Sequence, residues 1–117
     1  MEDLLISTLE TLGFPVLLQG SILDDEPYPD SFFTFWETSG DGVFYDDDEA
    51  LTVYNYLVNF YSTSPESCYT MLRNAKKLLR KQGFILSGDG YSVPSGKSSH
   101  DGRGIQASYL KNERNDL

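Results

Sequence analysis

Three places in the sequence bring together residue types that can do chemistry. Gly90 to Ser98 ends in Gly96-Lys97-Ser98, the close of a phosphate-binding loop. That loop needs four residues between its glycines, and here five separate Gly90 from Gly96. The following Ser-Ser-His-Asp-Gly-Arg-Gly does not start a helix, so no helix N-terminus is ready to hold phosphate. His100, Asp101 and the serines before them have the types of a nucleophilic triad. Neighbours in a loop do not hold nucleophile, base and orienter in line, so His100 reads as a solvated loop histidine. Asp46-Asp47-Asp48-Glu49 is a contiguous carboxylate run. A calcium loop alternates its carboxylates around a glycine, which leaves weak opportunistic ion binding at most. A single Cys68 and a single His100 do not make a zinc pattern. The sequence calls for no cofactor, metal or catalytic residue, and the reading is of a protein that is not an enzyme.

The elements point the same way. Leu51 to Ser62 is crowded with β-branched and aromatic residues and free of Gly and Pro, so it reads as a long strand. Tyr54, Tyr56, Val58 and Phe60 share one face; Leu51, Val53, Asn55, Leu57, Asn59 and Tyr61 share the other. Neither face is properly polar, so the strand is central in its sheet or covered by a partner. Glu2 to Leu12 reads as a short helix stopped by Gly13, and Val16 to Gln19 as a strand. Ile22 to Asp30 is an acidic, proline-bearing loop, and Ser31 to Glu37 a second aromatic strand. Thr38 to Ala50 reads as a long exposed hairpin loop with a brief strand at Val43 to Tyr45. Ser64-Pro65-Glu66 opens a helix, with serine as its cap, that Gly83 ends. Its apolar stripe is Cys68, Leu72, Ala75 and Leu79, widened by Met71 and Leu78, and Cys68 reads as a buried small hydrophobe. Phe84 to Ser87 is a strand, Gly88-Asp89-Gly90 a turn, and Tyr91 to Val93 a short return. Pro94 to Gly102 is a flexible loop, Ile105 to Leu110 a last strand, and 111–117 a polar tail. The expectation is one α+β domain over 1–117: an antiparallel sheet of about four to five strands with two helices on one face.

Charge is segregated along the chain. The net charge is −9, yet residues 1–72 hold 14 acids and no base, while 73–117 hold 4 acids and all 9 bases. A free nucleic-acid binder needs a dominant basic face, so direct sequence-specific binding to nucleic acid is not expected. No apolar run reaches membrane length and the N-terminus is acidic, so synthesis and assembly are expected in a cytoplasm. An acidic surface meeting a basic surface on a neighbour fits the split, as does a solvated acidic loop region beside a basic helix.

Several short segments resemble one family. They are Pro27-Tyr28-Pro29-Asp30-Ser31-Phe32-Phe33-Thr34-Phe35-Trp36, Val58-Asn59-Phe60-Tyr61-Ser62, Gly83-Phe84-Ile85, Gly88-Asp89-Gly90-Tyr91 and Gly102-Arg103-Gly104-Ile105. In this order they look like the tail-completion (tail terminator) or head–tail joining proteins of tailed phages and prophages of Gram-positive bacteria. The resemblance implies a virion protein at the head-proximal end of the tail, forming a ring with itself, a hexamer. Such a ring stops polymerisation of the tail tube protein and docks the head connector or stopper protein. The charge split then suggests interface residues: Asp24, Asp25, Glu26, Asp46, Asp47, Asp48 and Glu49 on one side, and Arg73, Lys77, Arg80 and Arg103 on the other, with Asn55 and Asn59 on the second strand face. Two alternatives stand beside it: another connector-ring component (stopper or adaptor), and an acidic DNA-mimic inhibitor.

Overall fold

The computed structural model describes residues 2–19, 29–46, 49–93 and 99–112, with side chains over 2–19, 29–38, 53–87, 90–93 and 99–110. Helix α1 (Glu2–Glu10) is followed by strands β1 (Val16–Leu18), β2 (Ser31–Asp46) and β3 (Glu49–Ser62). Helix α2 (Pro65–Lys81) and strands β4 (Ile85–Val93) and β5 (Asp101–Asn112) complete the order. The strands form one sheet in the order β1-β2-β3-β5-β4, which puts the aromatic β3 at its centre. The α+β class and the two helices on one face are as the sequence suggests. The sheet is mixed, however, because β1 lies parallel to β2 while every other pair is antiparallel. Twelve residues, 19–30, separate β1 from β2, which is the length a parallel crossover needs.

The strand period decides what is buried. Phe33 and Phe35 of β2, Tyr56, Val58 and Phe60 of β3, and Ile105 and Ala107 of β5 all turn to the helices, where each is at most 3 % exposed. They meet Leu5 and Leu9 of α1 and Cys68, Leu72, Ala75 and Leu79 of α2 in a single core. Phe14, just after α1, closes one end edge-on to Phe33 and Phe60, with ring centroids 6.5 and 5.3 Å away. Pro15 behind it accepts a 2.8 Å bond from Phe33 N–H, which extends the parallel pairing by one position.

The end of α2 is a Schellman motif. Phe84 N–H reaches back to Leu79 C=O at 3.0 Å and Gly83 N–H to Arg80 C=O at 3.1 Å, with Gly83 at φ +100°. At the other end Ser64 occupies the cap position with extended backbone, but its hydroxyl does not cap. Its N–H instead takes the Ser62 hydroxyl, at 3.0 Å, and Pro65 supplies the preset first turn.

Two connections differ from the sequence reading. Thr38 to Ala50 is not a long loop: β2 continues to Asp46 and β3 begins at Glu49, with Asp46 and Glu49 as the last register pair. The Gly and Asp residues there are absorbed by register shifts between Glu37 and Gly42, where extra residues on one strand leave the ladder intact on both sides. Gly88 to Gly90 is likewise no hairpin turn. Ser87 and Tyr91 both pair with β5, opposite Gln106 and Gly104, so the three residues between them oppose Ile105 alone as a bulge. Gly90 sits there at φ +98°, which glycine alone adopts without strain.

Candidate functional site

The second face of the sheet is built from positions that alternate with the core. Thr34 and Trp36 of β2, Leu57, Asn59 and Tyr61 of β3, Gly102 and Gly104 of β5 and Tyr91 and Val93 of β4 all turn away from the helices. The two glycines explain how this face is made. A Cβ on Gly102 would come within 2.7 Å of the Tyr61 ring and 2.8 Å of Val93. One on Gly104 would collide with Asn59 Oδ1 and press on the Tyr91 ring at 3.2 Å. Tyr61, Asn59 and Tyr91 therefore lie flat across β5, and Gly102-Arg103-Gly104 alternates two required glycines with one arginine on the other face.

The surface so formed is apolar and open. Trp36, Tyr91, Ile85 and Leu110 are between 42 and 57 % exposed. Trp36, Leu57, Asn59, Tyr61, Val93 and Gln19 line a shallow hollow of about 220 Å³. At its rim the face is closed by the chain itself. Phe32 stacks on Tyr61 at 5.2 Å, and Thr34 donates to Gln19 Oε1 at 2.6 Å. His100 corrects the sequence reading here, because it is not solvated. It is 9 % exposed, bonded through Nε2 to the Pro29 carbonyl at 2.8 Å and through Nδ1 to Ser99 Oγ at 2.9 Å, and set edge-on to Phe32. It fastens the start of β5 to the approach to β2.

A second surface lies on the helix side, between α2 and β5. Tyr69, Leu72, Arg73, Lys76 and Arg103 line a groove of about 300 Å³. Tyr69, Arg73 and Lys76 recur at the spacing that puts them on one flank of α2. Arg103, turned inward on β5, lays its guanidinium 4.4 Å from the centre of the Tyr69 ring. A Cβ on Gly90 would reach within 3.3 Å of Arg103 Nη2, so the bulge backbone forms one wall of the arginine's slot. Burial raises the Cys68 thiol, helped by Asp101 and opposed by a backbone hydrogen bond from Ser62 and by Arg103, which keeps Cys68 a neutral core group. Its Sγ–H points to Asp101 C=O at 3.4 Å. Burial, with Tyr61 adding to it, also raises the phenol of Tyr91.

The sequence-suggested interface residues fall in different places. Arg73 and Arg103 come together in the groove, while Lys77 and Arg80 are exposed and do not line it. Asn55 accepts a 2.6 Å bond from Ser108 and is engaged within the sheet. Asn59 donates a long 3.5 Å bond to Tyr61, and its buried Oδ1 has no hydrogen-bond partner. Asp46 and Glu49 close the β2–β3 hairpin. Asp24, Asp25, Glu26, Asp47 and Asp48 lie outside the described residues, as does Gly96-Lys97-Ser98. Tyr69 was missed as a functional residue, although its four-residue spacing from Arg73 was the available signal. Among the described residues no cluster of His, Cys, Asp and Glu could hold a metal. Among the same residues no helix is long and apolar enough to cross a membrane. No family model and no curated protein matches the chain.

Proposed function

We propose that this chain is a structural joining protein of a tailed-phage or prophage virion, a tail terminator. Copies of it form a ring on the end of the tail tube, stop tube growth and present a docking face to the head connector. One observation carries the reading: the motif residues that resemble this family, Trp36, Asn59, Tyr61, Tyr91, Gly102 and Gly104, are those that shape the open sheet face. An apolar face with Trp36 and Tyr91 nearly half exposed has the makeup of a protein contact surface. Ring closure supplies that contact through a head-to-tail interface.

Electron microscopy of tails assembled with and without the protein tests the role. Tails that lack it should be over-long or unjoined to heads, and normal joined tails would refute the reading. Placement of Asp41, Asp46 and Glu49 on strands rather than in a loop favours a second reading, mimicry of DNA phosphates by a firm acidic arm. That reading expects a monomer or dimer that captures a basic protein and leaves tail length unchanged.

A further inference from the structure

We propose that the groove formed by Tyr69, Arg73 and Arg103 receives the acidic end of the β2–β3 hairpin, around Asp46 and Glu49, of a second copy of this chain. The inference rests on the ring reading above and specifies its contact. Two observations lead to it.

The groove is built to hold an anion in a fixed orientation. Arg103 stands on a central strand, its guanidinium stacked 4.4 Å from the Tyr69 ring and walled by the Gly90 bulge. Stacking leaves the edge of a guanidinium open to paired carboxylate oxygens. Arg73 and Lys76 line the same hollow. Among the described side chains that line this groove and the adjoining hollow, Asp101 is the one carboxylate, set against Arg73, Lys76 and Arg103. Tyr69 is 56 % exposed, which leaves the site accessible from solvent.

The chain also carries the matching charge where its own groove cannot use it. Arg103 is in register with Phe60, and Glu49 is eleven positions earlier on the same strand. At about 3.3 Å per residue that separation is about 36 Å, several times the screening length of about 8 Å at physiological salt. Acid and base at opposite ends of one strand do not neutralise each other within a copy. They meet when the hairpin end of one copy enters the groove of the next, a head-to-tail contact that repeats and closes into a ring.

Charge exchange between two variants tests this. The first carries Arg73→Glu and Arg103→Glu, the second Asp46→Lys and Glu49→Lys, and circular dichroism checks that each is folded. Association is read by native mass spectrometry and sedimentation equilibrium at about 50 mM salt, with about 500 mM as the screened control. The wild type should associate and each variant alone should do so at least about 10-fold more weakly. An equimolar mixture should recover, because alternating copies restore both contacts, Glu against Lys and Arg against acid. Two misfolded chains would not rescue one another, so recovery separates lost contact from lost fold. Wild-type-like association of either variant, a mixture that fails to recover, or a wild type monomeric throughout overturns the proposal. Tail imaging distinguishes the readings: normal tails from a phage carrying either variant discard this contact and leave the ring, whereas recovery in the mixture with unaltered tails in the protein's absence keeps the contact and discards the terminator role.

Discussion

The two faces of β3 are made from the same strand and do opposite things. Toward the helices, Tyr56, Val58 and Phe60 are at most 1 % exposed, each inside a core supplied by the same chain. On the other side Asn55, Leu57 and Asn59 are half-buried, while both described helices pack on the inner face. The inner face is closed by volume, aromatic against aliphatic. The outer face is levelled and left open, with Tyr61, Asn59 and Tyr91 laid over glycine. The contrast shows that greasiness on both sides of a strand does not have one cause: here one side makes the fold, and the other makes a surface.

Substitutions should separate the faces by size of effect. Phe60→Ala removes a fully buried ring that touches Phe14 and Phe33, and should cost about 3–5 kcal/mol in urea unfolding. A loss below 1 kcal/mol would mean the inner face is not the core. Tyr56 provides a pH test of the same face. Burial, with Glu37, Glu2 and Tyr54 adding to it, pushes its phenol up to about 12. The unfolded phenol titrates near 10, so this contribution is complete below pH ~10 and is lost as pH rises toward ~12. It amounts to roughly 2–3 kcal/mol, and Tyr56→Phe should abolish that part of the decline.

On the outer face the effects should be smaller and of another kind. Gly104→Ala forces its methyl into Asn59 and Tyr91, for about 1–3 kcal/mol. Adding Asn59→Ala should restore much of it, because the displaced Oδ1 makes no hydrogen bond; a strictly additive double mutant would deny the contact. Trp36→Ser should cost about 1–2 kcal/mol, because the ring is 47 % exposed and keeps about half of its apolar area against the sheet. It should also weaken association between copies, which light scattering would detect.

Local pattern made much of this fold legible. Two faces short of polar residues marked β3 as central in its sheet or covered by a partner, and it stands at the sheet centre; the stripe Cys68, Leu72, Ala75 and Leu79 marked the buried side of α2. Composition misled where pairing overrode it. Glycine and aspartate from Thr38 to Asp46 suggest a loop, yet a long partner strand holds this stretch in the ladder through its own β propensity. Gly88-Asp89-Gly90 has the chemistry of a turn, and only pairing of both flanks with β5 makes it a bulge. His100 looked solvated because the Pro29 carbonyl that binds it is 71 positions away. The groove was half legible: Arg73 and Arg103 stood out by charge, but Tyr69 became part of it only when β5 passed beneath α2.

The length of β3 has a further consequence. Side chains alternate along a strand, so a single inserted or deleted residue between Glu49 and Phe60 would turn Tyr56, Val58 or their neighbours inside out. The reach from the β2–β3 hairpin to the other end of the sheet thus changes without disturbance in double steps of about 7 Å, and in single steps only where a bulge absorbs the odd residue, as in β2. Geometry of this kind makes the molecule a graduated gauge, with the odd settings reached only through a bulge.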